Sequence, residues 1–142
     1  MNVDLDIAET LDRHFREHPE LGVVSAYLFG SHAAGRAHRE SDVDLGILLD
    51  RSRYPRSADR FEARVQMISD LGTVLHRNDL DLVILNDAPP LFGRKILYEG
   101  RRIFLGDPAA DRAFGRDVQL RAADLEPWLR RMRRLQLEAL AR

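Results

Sequence analysis

The 142-residue chain has no cysteine, and Lys95 is its single lysine. Without cysteine there is no disulfide framework and no thiolate metal site. No apolar run approaches the ~18 residues that a membrane-spanning helix needs. The opening residues, Met-Asn-Val-Asp-Leu-Asp, are acidic and lack the basic flank of a signal peptide. These absences lead to the expectation of a cytoplasmic protein that makes no membrane contact. A strong charge of one sign is missing too: 22 basic and 23 acidic residues leave a net charge of −1. That balance argues against direct, generally basic nucleic-acid binding. Because nearly all the basic residues are arginine, any phosphate clamp here is built mainly from guanidinium groups, which grip phosphate through two parallel hydrogen bonds.

What is present fits a folded globular unit, with 44% hydrophobic and 32% charged residues. A chain of about 150 residues can bury roughly 68–70% of its unfolded surface and needs no staples. A single domain over 1–142 is expected, with 109–142 as a C-terminal helical segment. Val3, Ile7, Leu11 and Phe15 recur every four residues and predict a first helix that ends at His18-Pro19. A near-continuous apolar stretch after Gly22, residues 23–29, suits a buried central strand. A short helix is expected from Ser31. In residues 42–49, Val43, Leu45, Ile47 and Leu49 alternate onto one face of a strand, with Asp42, Asp44 and Gly46 on the other. Gly46 is expected to leave space beside the carboxylates.

A polar loop over 51–58 leads to a helix expected to turn Phe61, Val65, Ile68 and Leu75 inward. Residues 80–85 read as a third strand. Pro89-Pro90 opens another helix that Gly100 stops, and residues 102–105 read as a short edge strand. The last helix carries Val118, Leu125, Met132 and Ala139 at seven-residue spacing. That stripe is read first as a core or dimer stripe, and second as a partner's seat. Arg130, Arg131, Arg133 and Arg134 would surround it with positive charge, although a solvated helix face is the plainer reading of such a run. Trp128 beside them is a core residue or an interface anchor.

The chemistry concentrates in residues 30–45. A Gly30-Ser31 pair leaves the first strand, ten residues follow, and then comes Asp42-Val43-Asp44. Glycine lets a backbone approach a phosphate, and N–H groups at a helix start attract anions. The Ser31 hydroxyl can add a hydrogen bond, though alone it would be an ordinary helix cap. Asp42 and Asp44 on one strand face lie roughly 6.7 Å apart at their Cα atoms. Two carboxylates so placed repel unless a cation sits between them, and Mg²⁺ takes oxygen ligands and bridges to phosphates. Asp79 and Asp81, on one face of the third strand, could each supply a further acid. Arg36 is a candidate phosphate contact in the intervening loop, which also holds His32 and Arg39. Exposed loop charge is the plain alternative for all three.

A Gly-Ser pair, about ten residues and an Asp-x-Asp resembles the signature of the nucleotidyltransferase superfamily related to DNA polymerase β. The segments Asp79-Leu-Asp-Leu-Val-Ile-Leu-Asn-Asp-Ala-Pro-Pro-Leu and Ile96-Leu-Tyr-Glu-Gly-Arg-Arg-Ile-Phe resemble its minimal branch. Within that branch the likeness is to the MNT antitoxins that pair with HEPN-domain ribonuclease toxins. It covers about residues 20 to 105 by eye. The resemblance implies an α/β (α+β) fold, a small twisted mixed sheet flanked by helices. It implies Asp42, Asp44 and Asp81 as catalytic residues and metal ligands, since the family's third acid precedes Leu-Val. It implies Gly30, Ser31 and Arg36 on the nucleotide phosphates, two Mg²⁺ ions, and ATP as substrate. It further implies transfer of AMP to a tyrosine hydroxyl of a HEPN-domain toxin, which neutralises the toxin. The acceptor rests on family likeness alone. An antitoxin that acts by binding without chemistry, and a nucleotidyltransferase for a small molecule or an RNA end, stay open. So do a homodimer and a hetero-oligomer with the toxin.

Overall fold

The structure is a computed structural model and describes residues 3–30 and 42–142. The expected short helix after Ser31 lies outside the described residues, as do Ser31 and Arg36 themselves.

Helix α1 (Val3–Glu17) stops at His18, and a single turn of tighter helix, Pro19–Leu21, passes into strand β1 (Val23–Phe29). Strand β2 (Val43–Leu49) follows, then helix α2 (Ser57–Leu75), strand β3 (Leu80–Ile84), helix α3 (Pro90–Glu99), strand β4 (Arg101–Leu105) and helix α4 (Pro108–Leu140). The four strands form one mixed sheet in the order β3-β2-β1-β4. β1 pairs antiparallel with β2 and with β4, whereas β2 and β3 run parallel. The expected small mixed sheet with flanking helices is therefore what the chain forms.

Period-two alternation distributes the side chains between two layers. Ala26, Leu28, Val43, Leu45, Ile47, Leu49, Leu82 and Ile84 face one way and pack with Ile7, Leu11 and Phe15 of α1 and with Met67 and Leu71 of α2. Val24, Tyr27, Leu48, Leu85 and Ile96 form the second cluster, joined by Phe114 of α4. Coverage on both sides explains why β1 reads as an unbroken apolar run.

Three expectations are corrected. In α2 Ile68 and Leu75 pack partly buried against the core as expected, but Phe61 and Val65 are exposed, at 62% and 52%, and the buried residues are Arg60, Met67 and Leu71. At the start of the helix Arg60 takes the buried position, held by a two-pronged ion pair with Asp87 (2.8 and 2.9 Å) and a bond to the Tyr54 carbonyl (2.8 Å). Gly46 makes room for hydrophobic neighbours rather than for the acids: a Cβ there would meet Leu85 and Ile96 at 3.2 and 3.3 Å. In α4 only the beginning of the stripe is buried, at Val118 with Ala122. Leu125, Trp128 and Met132 are exposed, as is Ala139. At about 100° per residue, Arg131 and Arg133 flank Met132 on either side, while Arg130 and Arg134 fall on the opposite face. The four arginines therefore do not ring the stripe.

Candidate active site

The site stands where β1 ends and β2 and β3 begin. β1 closes on Gly30, whose φ of 68° is left-handed and favours a residue without a Cβ. Space demands glycine there as well, since an added Cβ would be driven into the Asp44 carboxylate. The turn of the Gly-Ser motif is thus packed directly against the second acid of Asp-x-Asp.

Asp44 lies opposite Phe29 on β1 and opposite Asp81 on β3. In-register residues on neighbouring strands put their Cα atoms about 4.8 Å apart and their side chains on one face. The two carboxylates are therefore neighbours by sheet register. Their face is the one that α3 and α4 cover, but this end of it is open: Asp44 is half-buried and Asp81 exposed. Asp42 is exposed and immediately precedes β2. The geometry brings Gly30, Asp44 and Asp81 together, with Asp42 at the mouth.

Asp79 has a different setting. Arg77 grips it with Nε at 2.8 Å and a terminal nitrogen at 2.7 Å, and its carbonyl accepts from the Val43 N–H at 3.1 Å. It anchors the start of β3 to the start of β2. Arg77 is pushed above its ordinary value first by its hydrogen bond to Asp79.

Several positioning residues escape a reading by hydropathy. Asn86 is buried, and its side-chain amide accepts from the Leu49 N–H (2.8 Å) and donates to the Leu49 carbonyl (2.9 Å), so it continues the ladder where β2 ends. Asp111, buried in the first turn of α4, accepts from Ser25 Oγ (2.6 Å), Tyr27 OH (2.7 Å) and Arg102 (3.1 Å). These bonds fix α4 to β1 and β4. Burial pushes the Tyr27 hydroxyl up to about 12, and Asp111 adds to the effect by hydrogen bond and charge. Phe92 at the start of α3 meets Phe29 edge-on, ring centres 6.0 Å apart, and so walls the site beside Asp44.

The donors available are oxygen atoms. Among the described residues no three acidic or imidazole side chains gather as a complete cation cage. One or two carboxylates with open positions suit Mg²⁺, which keeps waters and takes phosphate oxygens to fill its shell.

A strand, a tight glycine turn and paired acids on the next two strands of a mixed sheet define a nucleotidyltransferase domain. The family model for polymerase beta nucleotidyltransferases matches residues 4–109, and the chain belongs to that family. Among individual proteins, the protein adenylyltransferase MntA of Shewanella oneidensis is 31% identical over 88 residues, 61% of this chain and 55% of that protein. The match thus spans about half the length of that relative. A toxin–antitoxin crystal structure with AMP-PNP superposes with a TM-score of 0.65 at 23% identity, covering 95% of this chain and 98% of that one. A tri-AMPylated Shewanella oneidensis HEPN toxin in complex with MNT antitoxin gives 0.62 at 19% identity, over 99% and 100%. These two likenesses establish a shared fold. Among the described residues no helix is long and apolar enough to cross a membrane.

Proposed function

We propose that the chain transfers AMP from ATP to a tyrosine hydroxyl of a cognate HEPN ribonuclease toxin and thereby neutralises it. The observation that carries this reading is the in-register pair Asp44–Asp81 set against the Gly30 turn. Such an arrangement has no use in binding alone. Membership of the nucleotidyltransferase family and the 31% identity to a protein adenylyltransferase support the reaction class and the protein acceptor. The neighbours that hold AMP-PNP or an AMPylated HEPN toxin support ATP and the partner. In this reading residues 1–142 form one catalytic domain, of which α4 is the C-terminal extension.

In this mechanism the motif residues divide the work. Gly30, Ser31 and Arg36 hold the triphosphate, the glycine by close backbone approach and the other two by donated hydrogen bonds. Asp42, Asp44 and Asp81 would share Mg²⁺ among them, one or two carboxylates to an ion, and the metal when bound neutralises phosphate oxygens and favours departure of the leaving group. Asp81 stands at the open side of the pair and takes the proton of the tyrosine hydroxyl. The tyrosine oxygen then bonds to the α-phosphorus, the bond to the α–β bridging oxygen breaks, and pyrophosphate leaves with that electron pair. Positioning supplies most of the acceleration.

The test is direct. With ATP labelled at the α-phosphate, Mg²⁺ and the HEPN partner, label is expected on the partner and not on a variant lacking the acceptor tyrosine. A folded pair that associates but moves no label would instead mark an antitoxin that acts by coverage.

A further inference from the structure

Beside the carboxylate pair runs a groove of about 700 Å³, of which the catalytic reading uses only Asp81. Its floor is β3, residues 81–84, and its walls come from Ala58 and Phe61 of α2 and from Pro89 and Phe92 near the start of α3. Three of its properties point to one occupant. Asp81 belongs to the lining, so the groove opens onto the proposed base. β3 is the outermost strand on its side of the sheet, so one flank of its backbone has no strand beside it. Such an edge is a template for an added extended segment unless it is blunted. Here the Leu82 carbonyl is met by Arg64 Nε at 2.7 Å, a side-chain contact that a strand could replace.

The third property is chemical. Phe61 is 62% exposed and Phe92 39%, two large apolar side chains facing water beside one groove. Clustered exposed apolar surface of this kind marks a binding site. Around it the charges are unequal: Glu62, Asp81 and Asp87 are acidic, and Arg64 is the basic residue of the lining. Arg60 offsets Asp87, and Arg64 keeps its charge while bonded to the Leu82 carbonyl, so Glu62 and Asp81 outweigh Arg64 and leave a mildly negative rim over an apolar floor. Such a surface suits an extended peptide with an apolar side chain and a basic flank, and opposes an anionic ligand such as RNA.

We propose that this groove is the acceptor channel: an extended segment of the partner protein lies along β3, rests an apolar side chain against Phe61 and Phe92, and carries its hydroxyl to Asp81. The proposal rests on the adenylyltransferase reading and adds the surface by which the protein acceptor is chosen. ATP enters from the Gly30 side of the carboxylates and the segment from the β3 side, so the two substrates share Asp81 but not their binding walls. Substitutions in the groove should therefore separate acceptor recognition from nucleotide binding.

Ala58→Arg and Phe61→Arg test this, both at exposed helix positions that the core does not use. Each is expected to lower kcat/KM for the HEPN partner by at least about tenfold, the loss typical of one anchoring contact. ATP affinity and the thermal midpoint should stay at wild-type values. Hydrogen exchange with the wild-type chain supplies a second readout: with AMP-PNP and partner together, amides of 57–62 and 81–84 should gain protection that AMP-PNP alone does not give. Wild-type transfer with undiminished transfer by both variants overturns the channel and leaves the enzyme reading intact. A wild-type chain that transfers nothing overturns the enzyme reading and the channel with it. Protection of the same amides by raised protein concentration alone assigns the groove to a second copy of the chain and likewise overturns the proposal.

Discussion

On the side of the sheet covered by α1 and α2, Leu28, Val43, Leu45 and Leu82 have no solvent exposure, and the cover is almost wholly apolar. On the opposite side, under α3 and α4, the cover is smaller and holds the carboxylate of Asp111 with two hydroxyls. Toward the start of β2 that cover ends, and Asp44 and Asp81 stand on the uncovered part. Each of β2 and β3 contributes to both sides by alternation. In β2 the odd positions face the core and the even ones carry the acid, in β3 the reverse, so substitutions one residue apart should fail in different ways.

The largest expected effect is on the open side. Asp44→Asn and Asp81→Asn should lower AMP transfer by about 10²–10⁴ with the fold retained. Asp79→Asn should leave the rate nearly unchanged, because Asp79 is committed to Arg77. Single-turnover transfer rates for the three variants, beside their circular dichroism, check this. Equal losses at Asp79 and Asp81 would mean that the third acid is misassigned.

On the sealed side the expected effect moves from rate to stability. Leu45→Ala, one residue along from Asp44, removes a side chain that is fully buried between α1, α2 and the sheet. It should cost about 2–5 kcal/mol, measured by urea unfolding. The surviving folded fraction should transfer AMP at the wild-type rate per molecule. If Leu45→Ala abolished transfer while the chain stayed folded, the two sides would not be separable.

The contrast also explains what could be read from the sequence. The sealed side was legible because Val43, Leu45, Ile47 and Leu49 alternate without exception, and alternation fixes a strand face. The Gly-Ser and Asp-x-Asp spacing singled out Gly30 and Asp44, and a Cβ added at Gly30 would meet the Asp44 carboxylate. The orientation of α2 was legible only in part, at Ile68 and Leu75. Phe61 and Val65 are as apolar as Met67 and Leu71, and the buried Arg60 reaches Asp87, a long-range pair that hydropathy does not register. In α4 the seven-residue period continues past Ala122, the last buried residue of the helix. Periodicity states that a helix has an apolar face but not what covers it, so Val118 is buried and Met132 is not. The Asp111 network was invisible for a similar reason: a charged residue in a first helical turn usually faces water.

That network gives the smallest prediction, and one whose sign can be worked out. Tyr27 is protonated at neutral pH, and burial with the Asp111 carboxylate beside it pushes the hydroxyl from the ordinary 10 up to about 12. The folded state therefore keeps a proton that the unfolded chain gives up between those values. Stability falls wherever the unfolded state binds fewer protons, so this contribution is fully present below pH 10 and is lost as pH rises through about 12. Tyr27→Phe removes the titration and one of three donors to Asp111, leaving Ser25 and Arg102. At pH 8 the variant should be less stable by about 0.5–1.5 kcal/mol, the net worth of one hydrogen bond. Between pH 10 and 12 its stability should fall less steeply than that of the wild type, so the two urea midpoints converge. Parallel curves through that range would mean that Tyr27 ionises as easily folded as unfolded, and that the covered part of this side is no drier than the part that holds the acids.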